Sequence, residues 1–137
     1  MQRSSATGRA RQLAVAFGLY AFIGGLLSFT AWAVNLPRLT DWDNSGISIQ
    51  PNAALAVVLA ATGLLLLTVG LRWLAGVCGL IAFLIGGSTL FQHVTGIDLG
   101  IDTRFLFDRT WGGGGTVSPG RMGPPGALSW VFVGTAT

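Results

Sequence analysis

The side chains able to do chemistry are few and gather in one stretch: His93, Asp98, Asp102, Arg104 and Arg109. His93 is the single histidine. An imidazole can ligate the metal of a haem or a chlorophyll-type pigment, and it can sense pH near neutrality. Bis-histidine ligation within one chain is excluded, because no second histidine exists. The competing reading is an interfacial imidazole hydrogen-bonded to backbone or water. That reading is the expectation, with no cofactor. Asp98 and Asp102 stand one helical turn apart and could hold a cation or share a proton. Two carboxylates alone make a poor cation site. Their expected role is capping and ion pairing with Arg104 or Arg109 at the surface. The run Gly112 to Gly115 is followed by no Gly-Lys-Ser/Thr and preceded by no strand, so it reads as a flexible linker and not a phosphate loop. Cys78 is the only cysteine and sits in an apolar run, where a buried, inert thiol is expected. No nucleophile triad, zinc site or dinucleotide fingerprint is present. The expectation is a non-enzyme with no catalytic residue and no metal site.

The elements that position these residues follow from the charges. The chain has 137 residues, with eight Arg, five Asp, no Lys and no Glu. Charged residues make up 9% of it, against about 25% in an ordinary soluble domain. Apolar residues make up 51%, which excludes disorder. Between Asn44 and Ile97, Arg72 is the only charge. The net charge of +3 is scattered among flanks and loops, so it forms no basic stripe for nucleic acid. The solvent for such a surface is lipid.

The pattern predicts an all-α integral membrane protein: a small bundle of three transmembrane helices and a partial fourth. Residues 1–12 read as a polar cytoplasmic tail. The spans are about 13–34, 52–71, 74–94 and an incomplete 126–137, with extracytoplasmic loops 35–51 and 95–125. Asn35-Leu36-Pro37 stops the first span. Pro51 and Pro124 suit the first turns of the second and the last. Gly70-Leu71-Arg72-Trp73 is a short break that makes an antiparallel hairpin. The alternative, one long helix, would place Arg72 in mid-membrane at a cost of several kcal/mol. Ile97, Ile101 and Phe105 recur every four residues, which predicts a short amphipathic helical turn on the membrane surface. Three Arg before the first span and one after it place the N-terminus inside. A multi-pass protein of a bacterial inner membrane is expected.

Two regularities concern packing. Ala75, Gly79, Ala82 and Gly86 form a small-residue seam along the third span. Such seams let helices approach closely in lipid, within the chain or with a partner. Pro51-Asn52-Ala53-Ala54-Leu55-Ala56 also aligns with Pro124-Pro125-Gly126-Ala127-Leu128-Ser129, Val58 with Val131, and Thr62 with Thr135. Both copies follow a polar loop, as a parallel duplication would.

Several segments carry a family resemblance. They are Gln50-Pro51-Asn52-Ala53-Ala54-Leu55-Ala56, the run from Leu90-Phe91-Gln92-His93 through Gly96-Ile97-Asp98-Leu99-Gly100-Ile101-Asp102, Phe105-Leu106-Phe107, and Pro119-Gly120-Arg121-Met122 followed by Pro-x-x-Ala-Leu. In order and spacing the chain, from about Leu13 onward, resembles the N-terminal membrane-sensor region of bacterial multidomain signalling proteins. In that family, four or more helices precede PAS or GAF domains and a histidine kinase or diguanylate cyclase. The family usually has Thr at the positions of Ala53 and Gly126, and Asn at that of Pro125. No effector follows within these residues. The resemblance implies a non-catalytic sensory input module, or a stand-alone relative of one. The second expectation is a structural or accessory subunit of a larger membrane complex, photosynthetic or respiratory for example. Its partners would be the bilayer and other transmembrane helices, in a homodimer or a larger assembly. A transporter ranks last, since no charged pathway crosses the apolar segments.

Overall fold

The computed structural model describes the backbone at residues 2–105, 107 and 109–137, and the side chains of the same residues apart from 2–7 and 105. Four α-helices make up the described fold: α1 (Gln2–Val34), α2 (Pro51–Thr68), α3 (Arg72–Thr95) and α4 (Pro124–Ala136). Single 3-10 turns cover Pro37–Leu39 and Thr103–Phe105. An isolated parallel bridge joins Ile47 to Gly114. The first three helices are long and apolar enough to cross a membrane, over Gly8–Val34, Pro51–Thr68 and Arg72–Thr95. Large apolar side chains such as Phe17, Trp73, Leu84 and Phe132 point outward. Among the described residues the buried apolar core is instead mostly alanine, with Trp32 and Met122 the two large exceptions. Small residues inside and large ones outside is the arrangement that suits lipid as solvent.

Helix ends are set by local chemistry. Asn35 takes a left-handed φ of 63° after α1, and Leu36 N–H returns to Ala31 O at 2.9 Å. Gly96 does the same after α3, with a φ of 72°. Gly70 closes α2: with a φ of 84° it lets Leu71 N–H reach Leu66 O at 3.0 Å. These are αL caps that satisfy orphan carbonyls. At the other ends, Gln50 and Gly123 are extended, and a proline follows each at the first helical position.

Helix α1 extends beyond the expected span into the polar tail, back to Gln2, because that segment holds Ala, Arg and Gln, all good helix formers, and nothing stops it. Three expectations are corrected. The break between α2 and α3 is Val69 to Leu71, so Arg72 starts α3. The amphipathic turn over Ile97 to Phe105 does not form. Gly100 adopts a φ of 64°, and Asp98 Oδ1 accepts from Gly100 N–H at 2.9 Å, an Asx turn that competes with helix. The Phe105 side chain and Leu106 lie outside the described residues. The glycine run is not a free linker: Gly112 lies on Trp32, and Gly114 lies against the Gly46 carbonyl.

Helices pack in sequence, α1 on α2, α2 on α3 and α3 on α4. The two hairpins α1–α2 and α3–α4 are copies. A Cβ on Gly25 would meet Ala54 O, Val57 and Val58. One on Gly86 would meet Ala127 O, Trp130 and Val131. These partners correspond one for one, with α2 and α4 offset by 73 residues (Ala54 to Ala127) and α1 and α3 by 61 (Gly25 to Gly86). Gly18 lies on Leu65 and, less closely, on Leu64, whose copy Thr137 lies on Gly79 in the same register. The α1–α3 alignment pairs Leu13 with Leu74, Ala14 with Ala75, Ala21 with Ala82 and Phe22 with Phe83. It also pairs the two left-handed caps, Asn35 and Gly96. The longer second loop separates the two offsets.

Candidate functional site

The loop between α3 and α4 folds over one end of the bundle, is fastened there to α1, α2 and α3, and runs directly into α4. At α1, Arg109 donates from Nε to Trp32 O at 2.9 Å and from a terminal nitrogen to Ala33 O at 2.6 Å. These are carbonyls of the last helical turn, where a cation also complements the helix dipole. Trp111 stacks on Trp32 at 4.1 Å between ring centroids, and its Nε1 donates to Asn35 Oδ1 at 2.8 Å. At α2, buried Gln50 donates to Gly112 O and accepts from Gly120 N–H. Buried Asn52 accepts from Met122 N–H at 3.2 Å and donates to Thr89 Oγ1 at 3.4 Å.

At α3, Gln92 is the anchor. Its Oε1 accepts from Leu99 N–H at 2.7 Å, and its Nε2 donates to Asp102 Oδ2 at 3.0 Å. Arg121, just before α4, donates from Nε to the same Asp102 oxygen at 2.6 Å and from a terminal nitrogen to Asp98 Oδ1 at 3.2 Å. The Asp102 side chain is only 3% exposed and that of Arg121 11%, whereas Asp98 is largely in the open. A short charge-assisted bond between buried partners is the strong kind. Asp102 Oδ1 is buried without a hydrogen-bond partner. Beside it, a cavity of about 240 Å³ lies between α2 and α3, walled by Leu55, Ile85, Ser88 and Ile101 among others.

The expected ion pairing of Asp98 and Asp102 is therefore corrected in two respects. The cation is Arg121, and neither Arg104 nor Arg109 pairs with them among the described residues. Asp102 is in the interior and not on the surface. The reason is the failed helical turn: the chain from Gly96 to Asp102 folds back over Gln92 and carries Asp102 under the loop. Arg104 is exposed.

His93 is half-buried, and its Nε2 lies 2.9 Å from Met122 O. A carbonyl only accepts, so Nε2 carries the proton and donates, and it is not free to hold a metal. The duplication explains this bond. In the first hairpin Trp32 occupies the equivalent position and donates from Nε1 to Ile49 O, also at 2.9 Å. Ile49 and Met122 each stand two residues before the first helical proline. His93 is thus the second copy of a ring-to-carbonyl strut. The seam Ala75, Gly79, Ala82, Gly86 is buried, and α4 lies on it at Gly79 and Gly86. Among the described residues, no group of three His, Cys, Asp or Glu gathers as for a metal ion.

In the first loop, Asp41 and Asp43 fold a tight turn. Asp43 accepts from Ser45 Oγ at 2.8 Å, and Asp41 accepts from Gly46 N–H at 2.9 Å. The Ser45 hydroxyl, then Asp41 and the Ser45 amide, hold the Asp43 carboxyl below its ordinary range.

Gln50, Asn52, Gln92, Trp32, Trp111 and Arg121 were not marked by sequence patterns as site residues. The available signal was polarity in the wrong place: Asn52 and Gln92 lie in otherwise apolar helices near their loop ends. Compared with protein-family models, with curated proteins and with solved structures, the chain has no match.

Proposed function

We propose that the chain is a non-catalytic membrane-embedded input module of a bacterial signal-transduction protein, or a stand-alone relative of one. The observation that carries this reading is the clamp: a single loop bonded through side chains to the same end of α1, α2 and α3, and continuous with α4. In the proposed orientation the N-terminus is cytoplasmic in the inner membrane and the clamp is extracytoplasmic. A signal that displaces the loop, or an apolar molecule that enters the cavity beside Asp102 from the bilayer, then shifts helix ends together. The segments that resemble sensor regions support the same reading, because they supply Gln50, Asn52, Gln92, His93, Asp102, Arg121 and Met122 to the clamp. Coupling of this kind needs an element with two arrangements that the signal biases. The buried, half-satisfied Asp102 is the residue whose arrangement would change.

A structural or accessory subunit of a larger membrane complex is the second reading. It is favoured by the large apolar side chains that α1 and α4 present outward, Tyr20 and Phe132 among them. Affinity isolation from native membranes with an antibody to the 96–121 loop, followed by mass spectrometry, decides between the two. The input-module reading expects a histidine kinase or diguanylate cyclase domain on the same polypeptide or bound to it. Recovery only with respiratory or photosynthetic subunits would overturn it and establish the second reading.

A further inference from the structure

Among the described residues, the duplication leaves two helix faces without the neighbour that their copies have. Helix α2 packs on α3, but no close packing joins α4 to α1. Under the offset of 73, the α2 face that meets α3 corresponds to an outward face of α4. Buried Asn52, Ala56 and Gly63 correspond to exposed Pro125, Ser129 and Ala136. Under the offset of 61, the α3 face that meets α2 corresponds to a face of α1 that is outward at Phe17 and Leu27 and closed at buried Ser28, the copy of Thr89. Half-buried Cys78 corresponds to Phe17, which is 66% exposed, and half-buried Ser88 to exposed Leu27.

We infer that α4 of one copy of this chain packs on α1 of a second copy, repeating between chains the α2–α3 interface inside each. The two faces are complementary for the same reason that α2 and α3 are: each is a duplicate of one side of an existing contact. The helix directions agree, because α4 and α1 run antiparallel as α2 and α3 do. The contact is head-to-tail, using different surfaces on the two partners, so it propagates until the rotation closes a ring. The packing is that of small residues on one helix against larger ones on the other, which drives association in lipid. This inference concerns assembly and does not rest on the signalling role.

The internal contact also gives the residue pair to test. A Cβ on Gly63 would lie 3.5 Å from Cys78 Cβ, within the range that a disulfide bridges. Its copy between chains is Ala136 against Phe17. In a Cys78→Ser background of the full chain in native-like bilayers, Phe17→Cys and Ala136→Cys are prepared separately. After oxidation, a mixture of the two is expected to give a disulfide dimer, and neither alone is. The double variant is expected to give a ladder of dimers, trimers and higher species. Self-crosslinking of either single variant, an intramolecular disulfide in the double variant, or no crosslink at all would overturn the inference. Native mass spectrometry of the unaltered chain from bilayers is expected to show oligomers, and a monomer alone would equally overturn it.

Discussion

Replacing Gly86 with alanine probes the close approach of α3 and α4. The added Cβ would lie 2.7 Å from both Ala127 O and Trp130 Cβ, and 3.0 Å from Val131 N. Two of these are backbone atoms, which cannot swing aside as the end of a side chain does. To restore ordinary contact the helices must part by about 0.7 Å, and a gap of about that size forfeits a quarter to a half of the dispersion energy of the atoms that separate. Overpacking of this kind costs about 1–3 kcal/mol. Against it stands the helix-propensity gain of Ala over Gly, about 1 kcal/mol. The neighbouring Gly87→Ala variant isolates the packing part: it has the same propensity gain, and its Cβ would meet nothing within 4 Å. Reversible unfolding of both variants in mixed micelles should place Gly86→Ala below Gly87→Ala by about 1–3 kcal/mol. Equal stability of the two variants would refute the reasoning, since it would mean that α4 does not sit on this seam.

Three other outcomes are expected. Arg121→Met leaves Asp102 buried without its cation and should destabilise the fold by about 3–5 kcal/mol, while Arg121→Met with Asp102→Leu should recover most of that loss; a double variant as unstable as the single would contradict the pairing. Neutral His93 should be the Nε2-protonated tautomer, with a pyridine-like Nδ1 in nitrogen-15 spectra; the opposite assignment would remove the strut to Met122 O. The Asp43 carboxyl is held below its ordinary value of 3.8, so its contribution to the turn is complete above that value and is lost as pH falls through the lower folded one; a carbon-13 titration of that carboxyl with a midpoint at or above 3.8 would show that Ser45 does not hold it.

Much of the fold is legible in the sequence because charge scarcity and helix stops are local signals. Pro51, Pro124 and Gly70 act on their immediate neighbours, and the elements begin and end close to them. The start of α1 was less legible, since a polar helix and a polar coil share a composition. The clamp was hidden for a different reason. Its bonds join residues far apart in sequence, such as Trp111 with Asn35 and Gln50 with Gly120. No spacing rule connects those positions. Asp102 illustrates the point: a helical period with Ile97, Ile101 and Phe105 put it on a surface turn, and one left-handed glycine at 100 carried it inside. Half of the duplication was visible in Pro51 and Pro124. The other half was masked because the longer second loop changes the offset, so Trp32 and His93 do not align in the register that matches the prolines. Their common role as donors to a carbonyl appears only once the hairpins are compared in space.

The central claim is that the loop and the helix ends form one coupled unit through Asp102. Hydrogen exchange of the full chain in bilayer discs, compared with Asp102→Asn, tests it most directly. The variant keeps the size of the side chain and removes the charge that Arg121 engages. Exchange is predicted to rise at residues 96–102 and 119–123 and also at the loop-side ends of α1 and α2, around Trp32 and Asn52. A rise confined to residues 96–123, with the ends of α1 and α2 unchanged, would contradict the account.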